Sequence, residues 1–341
     1  MKVIFRCDAG GEFGLGRLAR SWALADEFSR SGVEAVFAMH GGEHAFLENA
    51  GYEVIDLESS HGADHDRRIA QLAGDAEFVV ADSRELGTLD ILRLRSMIHP
   101  ARLALIDDLA DRYVSCAAVI NPNPSAYLCR YDLPVDCRPI LGPTYALIRP
   151  DVARLAREPC EPSEIPRVVV CMGAFDKGGL TAAVLEILDG FKEEFSITAL
   201  MMPSAPTLSD VRRCVEKMSH PVTFEVGHKN VSAVFHGASM AVCAGGTTAL
   251  ELACLGVPAG YLADPGKDEE IAEALAHNGA GVFLGHASEL DLDFFVRGVH
   301  ALLGQRQARA SISRTASQLI DGKGAERVVA KLTKYGIITL D

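Results

Sequence analysis

Short apolar runs alternate with segments of helical periodicity along nearly the whole chain. In the first part of the sequence, such runs predict strands at residues 2–7, 34–39, 77–81, 102–106 and 117–121. The clearest helices between them are predicted over residues 17–30 and 88–98. Continuous apolar strands that alternate with helices are typical of a parallel sheet covered on both faces.

Residues 151–166 differ from what precedes them, since they carry three prolines, several charges and no strand pattern. This composition predicts a linker. The alternation then resumes, with predicted strands at residues 167–172, 196–201, 222–226, 239–243 and 258–262. The clearest predicted helices after the linker cover residues 180–190 and 247–255.

The pattern predicts an α/β protein of two doubly wound, Rossmann-like parallel-sheet domains, residues 1–150 and 167–341. The last helix is assigned to the second domain, and its return to the first domain is the alternative. In open parallel sheets the ligand lies outside the carboxyl ends of the strands. Two such domains joined by a linker therefore predict a ligand cleft between them.

The composition narrows the class of protein. A chain of 341 residues is long enough for two domains, and its net charge of −13 argues against a nucleic-acid partner. The nine cysteines include no C-x-x-C pair, which is typical of reduced thiols in a cytoplasmic protein. The first residues do not resemble a signal peptide, and no apolar run approaches the roughly 18 residues that cross a bilayer. We therefore expect a cytoplasmic protein without a membrane span, and a monomer because no dimerisation signal is evident.

The strongest candidate site is the segment VCAGGTTALELACLGVP. A predicted strand runs into Gly245 and Gly246, and a helix begins at Thr247 and Thr248. Glycines let the backbone approach a ligand closely, and a helix start offers free N–H groups to an anion. Glu251 lies one turn further on, at a distance suited to a ribose diol. The alternative is a purely structural turn in which Thr247 caps the helix.

A second glycine-rich loop, RCDAGGEFGLGR, follows the first predicted strand. Its glycines, which include Gly14 and Gly16, do not have the spacing of a dinucleotide fingerprint. Three charged side chains surround this flexible backbone: Arg6, Asp8 and Arg17. The pattern favours a ligand-binding loop, and the alternative is a structural loop with solvated charges.

Two further groups of polar residues invite a chemical interpretation. Asp107 and Asp108 end a predicted strand, where adjacent aspartates more often cap a turn than hold a metal. We favour the structural role, with a substrate contact from Asp107. His40 and His44 have no standard metal-ligand spacing and no third ligand, so no metal is expected.

Taken together, these segments resemble the UDP-sugar hydrolases of pseudaminic acid biosynthesis and the related spore-coat polysaccharide proteins. That family shares the two-domain GT-B architecture of many glycosyltransferases. The resemblance runs through nearly the whole chain and is carried by FRCDAGGEFGLGR (5–17), IDDLADR (106–112), INPN (120–123), LGPTYALIRP (141–150), CMGAFDKGGLT (171–181), AGGTTALELACLGVP (244–258) and DGKGAERV (321–328). The segment that starts at residue 244 also resembles the donor-binding signature of the lipid II-forming N-acetylglucosaminyltransferase.

The resemblance implies that the second domain binds UDP and that the first domain binds the sugar or the acceptor. The residues assigned to UDP are Gly173, Gly245, Gly246, Thr247, Thr248 and Glu251. The residues expected on the sugar side are Arg6, Gly14, Gly16, Asp107 and Tyr145. The implied reaction is displacement of UDP from the anomeric carbon of a deoxy-diacetamido sugar by water, with inversion, and no cofactor is expected.

The sugar end departs from the family at position 17. The family's loop ends Gly-x-Gly-His, and its histidine serves the attacking water, whereas the sequence here continues with Arg17. Arginine stays protonated and therefore does not accept a proton from water. Asp8 is the first candidate for the general base, followed by Asp82 and His40. Arg17 is expected to bind the diphosphate or a carboxylate of the sugar.

Two more departures keep other functions open. The family's Asp-x-Tyr motif reads Asp82-Ser83-Arg84, and residues 263–272 are longer and more acidic than in the family. One alternative is a GT-B glycosyltransferase, in which an alcohol acceptor replaces water. The other is a non-catalytic protein that binds a nucleotide sugar.

Overall fold

The computed structural model describes residues 1–11, 13–158, 165–263 and 265–340. They form two compact units, a first unit of Met1–Pro150 together with the chain from Lys323 onward, and a second unit of Asp151–Gly322. The chain thus returns to the first unit after it has completed the second. Of the predicted linker, residues 159–164 lie outside the described residues, and residues 151–155 belong to a short helix.

The described part of the chain contains strands and helices in alternation. The strands are β1 (Lys2–Ala9), β2 (Glu34–Gly41), β3 (Glu53–Asp56), β4 (Phe78–Asp82), β5 (Arg102–Ile106), β6 (Ala118–Asn121), β7 (Arg138–Leu141), β8 (Arg167–Cys171), β9 (Ser196–Met201), β10 (Val222–Val226), β11 (Met240–Ala244), β12 (Ala259–Ala263) and β13 (Val282–His286). The helices are α1 (Gly16–Arg30), α2 (Ala45–Glu48), α3 (Ala63–Leu72), α4 (Thr88–Met97), α5 (Pro150–Leu155), α6 (Leu180–Asp189), α7 (Leu208–Val215), α8 (Val231–His236), α9 (Thr247–Cys254), α10 (Lys267–His277), α11 (Leu292–Gly304), α12 (Arg306–Leu319) and α13 (Gly324–Lys334). None of these helices is both long enough and apolar enough to cross a bilayer.

Within the described residues, the first unit contains a seven-stranded parallel sheet in the order β3-β2-β1-β4-β5-β6-β7. Successive side chains of a strand point to opposite faces, so β1 contributes to two cores. Val3 and Phe5 pack into the core that also holds residues of α1 and α13, and Ile4 packs into the core on the side of α3 and α4. Phe5 stacks on Phe37 with ring centroids 5.3 Å apart.

The second unit repeats this plan with six strands among the described residues. Its sheet is parallel, in the order β10-β9-β8-β11-β12-β13. Val168 and Val170 of β8 pack with Leu185 and Leu188 of α6 in one core. The predicted fold class, two doubly wound parallel-sheet α/β domains, is confirmed.

The predicted strands are all present, but three strands were not predicted: β3, β7 and β13. Each of them is an edge strand of its sheet. An edge strand is less completely buried, so its sequence need not be a continuous apolar run. Two of the three strands show this, since Glu53 begins and Asp56 ends β3, and Arg138 begins β7.

The last helix, α13, packs against residues 144–146, close to the point at which the chain first leaves the first unit. At Gly324, the first residue of α13, a Cβ atom would lie 2.1 Å from the Ala146 carbonyl oxygen and 2.5 Å from the Tyr145 carbonyl carbon. Arg327 of the same helix donates to the Thr144 carbonyl at 3.0 Å. Glycine is therefore required at position 324 by the close approach of two backbones.

We predict that Gly324→Ala destabilises the protein by roughly 1–3 kcal/mol, because the added methyl group forces α13 away from this segment. Gly304→Ala is the matched control, since a Cβ atom there meets nothing within 4 Å. Urea unfolding followed by circular dichroism measures both. Equal unfolding midpoints for the two variants would contradict the close docking of α13.

Candidate active site

Each sheet reverses its strand order at one place. In the first unit the order reverses between β1 and β4, and in the second unit between β8 and β11. The connections of such a pair of strands leave in opposite directions, so a crevice opens at their carboxyl ends, and ligands of open α/β sheets bind there. The candidate sites are therefore the ends of β1 and β4 and the ends of β8 and β11.

The loop after β1 folds back on itself between Gly10 and Gly14. The Gly14 N–H donates to the Gly10 carbonyl at 2.6 Å, and the Gly10 N–H donates to the Gly14 carbonyl at 3.1 Å. Both residues have φ in the left-handed region, 114° and 77°. A Cβ atom on Gly41, at the end of β2, would lie 1.9 Å from the Ala9 carbonyl oxygen. The predicted ligand loop is thus a tight turn that leads to Gly16, where α1 begins.

At the end of β1, Arg6, Asp8 and Arg17 form an ion cluster. Arg6 Nη1 lies 2.6 Å from Asp8 Oδ1, and Arg17 Nη1 lies 3.7 Å from Asp8 Oδ2. The Arg6 and Asp8 side chains are fully buried, whereas that of Arg17 is 13% exposed and lies over the ring of Phe13. The carboxylate is therefore held between two guanidinium groups, and of these three side chains Arg17 is the one that reaches the surface.

His65, on α3, fixes the orientation of Arg6. Its Nε2 accepts from Arg6 Nε at 2.9 Å, so its Nδ1 donates to Asp66 at 2.8 Å. Burial and the charge of Arg6 lower the pKa of His65. The imidazole is therefore neutral at neutral pH and keeps a lone pair for Arg6.

Arg20, on α1, ties together the ends of β4 and β5. Its Nε and Nη2 donate to the two carboxylate oxygens of Asp82 at 2.5 and 2.6 Å, and its Nη1 donates to Asp108 at 2.7 and 2.8 Å. Asn123 also donates to Asp108, at 2.6 Å. Burial alone would lower the pKa of Arg20, but the charges of Asp108 and Asp82 outweigh burial and raise that pKa above its ordinary value. Arg20 is thus a permanent buried cation.

Asp107 and Tyr145 have contacts other than the ion cluster at the end of β1. Asp107 accepts from the backbone N–H groups of Leu109 and Ala110 at 3.2 and 2.9 Å, and its other oxygen lies 2.9 Å from Arg112. These are the contacts of a turn cap, which was the favoured interpretation of the sequence. Tyr145 packs against the core of the first unit, beside the start of α13.

In the second unit, the turn between β11 and α9 lies against the start of α10. A Cβ atom on Gly245 would lie 2.1 Å from the Asp268 carbonyl oxygen and 2.8 Å from Ala272 Cβ. A Cβ atom on Gly246 would lie 3.2 Å from the Asp268 carboxylate. Close packing therefore requires glycine at position 245. Helix α9 then begins at Thr247, and its first turn has N–H groups without a partner inside the helix, as every helix start does. The Thr247 hydroxyl has no partner among the described residues.

The next residues of α9 face the end of β8. The Thr248 side chain hydrogen-bonds the Cys171 thiol, and burial raises the pKa of Cys171 to about 11, so the thiol is neutral at neutral pH. Glu251 is 6% exposed and is close enough for its charge to contribute to that shift. Gly173, after β8, has a left-handed φ of 79°. The residues predicted for the nucleotide thus gather at the ends of β8 and β11.

The two histidines considered for a metal have other contacts. The Nδ1 of His40 donates to the Leu57 carbonyl at 2.9 Å, and the Nε2 of His44 lies 3.6 Å from Asp56. In the parts of the chain that the structure describes, no three His, Cys, Asp or Glu side chains are arranged to hold a metal ion.

Sequence reasoning missed the residue that organises the first unit's site, Arg20. The predicted helix over residues 17–30 carries several charged residues, and its pattern alone did not indicate that one arginine among them is buried. A signal was nevertheless present, because Arg20 shares a helical face with Leu24 and Phe28 at spacings of four residues, and both of these are buried. Asp108, the other missed partner, was considered as a turn cap or a metal ligand and not as the partner of a buried arginine.

No protein-family model matches the chain. Comparison with individual proteins finds two distant relatives. The spore coat polysaccharide biosynthesis protein SpsG of Bacillus subtilis is 22% identical over 346 residues, which cover 97% of this chain and 98% of SpsG. The UDP-2,4-diacetamido-2,4,6-trideoxy-beta-L-altropyranose hydrolase of Campylobacter jejuni is 24% identical over 234 residues, 68% of this chain and 80% of that protein. The chain is therefore distantly similar to both.

Solved structures share the fold. The MurG structure of Acinetobacter baumannii has a TM-score of 0.64 at 13% identity and covers 98% of this chain and 100% of its own. The UDP-GlcNAc 2-epimerase of Neisseria meningitidis, bound to UDP-GlcNAc, has a TM-score of 0.68 at 10% identity, with coverage of 98% and 100%. At these identities the likeness shows the fold alone, which is of the GT-B type.

We predict that Arg20→Met lowers the free energy of unfolding by about 3–5 kcal/mol, because it leaves two buried carboxylates without their cation. Arg30→Met is the matched control on the same helix, since Arg30 is 61% exposed and its partners Asp26 and Glu27 are partly exposed. Urea unfolding of both variants tests the difference. A loss no larger for Arg20→Met than for Arg30→Met would contradict a buried ionic role for Arg20.

Proposed function

We propose that this protein is an enzyme that cleaves a nucleotide sugar between the diphosphate and the anomeric carbon. The observation that carries the proposal is the turn from β11 into α9, where two glycines lead to a helix start with the Thr247 hydroxyl free among the described residues. The near full-length similarity to SpsG and the partial similarity to a UDP-sugar hydrolase support it.

In this proposal the diphosphate lies at the start of α9. A helix start carries partial positive charge and free N–H groups, which stabilise phosphate oxygens without a metal. Thr247 adds a hydroxyl donor at the helix start, and the absence of a side chain at Gly246 leaves room for the Asp268 carboxylate beside the turn. Glu251, one turn along, is assigned to the ribose hydroxyls, and Gly173 to the adjacent backbone of the nucleotide site.

The sugar is assigned to the loop after β1. Arg17 reaches the surface there and is paired with Asp8, which Arg6 in turn holds in place. Its fixed positive charge suits the leaving diphosphate or an anionic group of the sugar. Since Asp8 is fully buried between two cations, we assign it to positioning Arg17. Gly14 and Gly16 provide the tight turn that brings the loop to the ligand.

The general base is then better assigned to His40 than to Asp8 or Asp82. Asp82 accepts both of its hydrogen bonds from buried Arg20. His40 is partly exposed at the end of β2, and its Nδ1–H is used by the Leu57 carbonyl, so the neutral ring keeps its lone pair on Nε2. In the proposed step, water attacks the anomeric carbon, its proton passes to Nε2, the bond to the diphosphate oxygen breaks, and UDP leaves.

Transfer of the sugar to an alcohol acceptor is the second candidate. It is favoured by the residues that differ from the hydrolase pattern, Arg17 and Arg84, because both lie at the end that would bind the sugar or the acceptor. The chemistry at the diphosphate is the same in both reactions, and the nucleophile alone differs.

We predict that the wild-type protein releases UDP from UDP-2,4-diacetamido-2,4,6-trideoxy-β-L-altropyranose, as seen by proton NMR of the anomeric signal. Arg17→Gln should lower kcat/KM by about a hundredfold through loss of a fixed charge at the reacting centre, while Arg30→Gln on the same helix should not. Arg17→His should recover part of the loss seen in Arg17→Gln, because a protonated imidazole restores a positive charge at this position.

The outcomes separate the alternatives. Free sugar supports hydrolysis, and UDP release that requires an added alcohol supports transfer. Binding of the nucleotide sugar without turnover under either condition would overturn the catalytic proposal and leave a binding protein. Unchanged affinity and turnover in both Arg17 variants would show that position 17 has no part in the reaction.

A further inference from the structure

A second cavity lies at the opposite end of the first unit's sheet from the candidate active site. Its volume is about 420 Å³, in the range of small-molecule sites. Arg102 begins β5 and Arg138 begins β7, so the cavity opens at the amino ends of these strands. The candidate active-site loops follow the carboxyl ends of β1 and β4. Because the strands of this sheet are parallel, those ends lie on the opposite side of the sheet from the amino ends.

The wall of this cavity is strongly basic, although the chain as a whole carries a charge of −13. Three arginines line it, Arg95, Arg102 and Arg138, together with His99. The one carboxylate in the lining, Asp136, lies 2.8 Å from Arg95 and neutralises it. The charges of Arg102 and Arg138 remain uncompensated by the other lining residues.

Two of the arginines are already oriented by the protein. Arg95 donates to the Ser115 hydroxyl at 2.6 Å as well as to Asp136, and Arg102 donates to the Gly336 carbonyl, which is neutral. Arg138 has no ion-pair or side-chain hydrogen-bond partner among the described residues. A planar guanidinium with free N–H groups is suited to bidentate binding of phosphate.

The rest of the lining is apolar and includes one aromatic ring. Leu103 and Ile337 are buried, and Tyr335, which follows α13, is 37% exposed. An aromatic face beside an apolar floor suits a flat ring, and the arginines suit an anion joined to it. These two features together describe a ligand of the size and chemistry of a mononucleotide.

We propose that this cavity binds a phosphorylated small molecule with a planar ring, at a site separate from the candidate active site. The phosphate lies between Arg102 and Arg138, and the ring lies against Tyr335. Because Arg138 belongs to the sheet and Tyr335 to the C-terminal segment, such a ligand connects that segment to the strands. The proposal does not depend on the enzymatic activity proposed above.

Isothermal titration calorimetry with AMP tests the site, with adenosine and ribose 5-phosphate as partial probes. AMP should bind the wild-type protein more tightly than either partial probe. Arg138→Ala should weaken AMP binding by at least about tenfold, since a charge-assisted contact is lost. Tyr335→Ala should weaken AMP but leave the affinity for ribose 5-phosphate unchanged.

Two controls locate the binding. Arg68→Ala removes an exposed arginine of α3 that does not line the cavity and should bind AMP like the wild type. Arg30→Ala, which removes an exposed arginine of α1 outside the cavity, should also leave AMP binding unchanged. If AMP does not bind the wild type, or if Arg138→Ala and Arg68→Ala bind it equally, the proposed site is wrong.

Discussion

The reversal of strand order in a parallel sheet is the constraint on which the rest of the structure depends. Parallel strands require helical crossovers, and where two neighbouring strands send their crossovers to opposite sides, their carboxyl ends stay open. This occurs between β1 and β4 and again between β8 and β11. The glycine-rich turns after β1 and after β11 each follow one of these strands, so the topology determines where a ligand site is expected in each unit.

The two open ends are built by different physical means. The end of β11 uses backbone dipoles, a hydroxyl and close packing of glycine against α10, which suits a ligand that is already charged. The ends of β1 and β4 use buried ion pairs: Asp8 with Arg6 and Arg17, and Asp82 with Arg20. Buried ion pairs add little net stability but fix orientation, because breaking one leaves a charge without a partner. We interpret the pairs as supports that hold Arg17 and the loop after β1 in place.

Much of the fold follows from local patterns in the sequence. Strands such as 102–106 and 196–201 are mostly apolar because both faces of a parallel sheet are covered, and the structure confirms them. Edge strands such as β7 lack that signal, since one edge faces away from the sheet. The burial of Arg6 could not be predicted either, because it depends on His65 of α3, which is distant in sequence.

The candidate site was predictable in part for the same reason. The turn at residues 245–248 is local, and its glycines followed by threonines predict a strand end and a helix start there. By contrast, the link from Arg20 to Asp108 joins α1 to the end of β5 across 88 residues, and no local pattern encodes the partner. Asp268, which packs against the β11–α9 turn, could not be predicted for the same reason, because the approach of α10 to that turn is a tertiary contact.

Titration calorimetry of UDP against Thr247→Val and Thr247→Ser tests most directly whether the β11–α9 turn binds a nucleoside diphosphate. Loss of a hydroxyl donor to a charged oxygen costs about 1.5–3 kcal/mol, so Thr247→Val should bind UDP at least roughly tenfold more weakly. Thr247→Ser keeps the hydroxyl and should bind UDP like the wild type. Equal affinity of the wild type and Thr247→Val for UDP, or no UDP binding by any of them, would contradict the assignment.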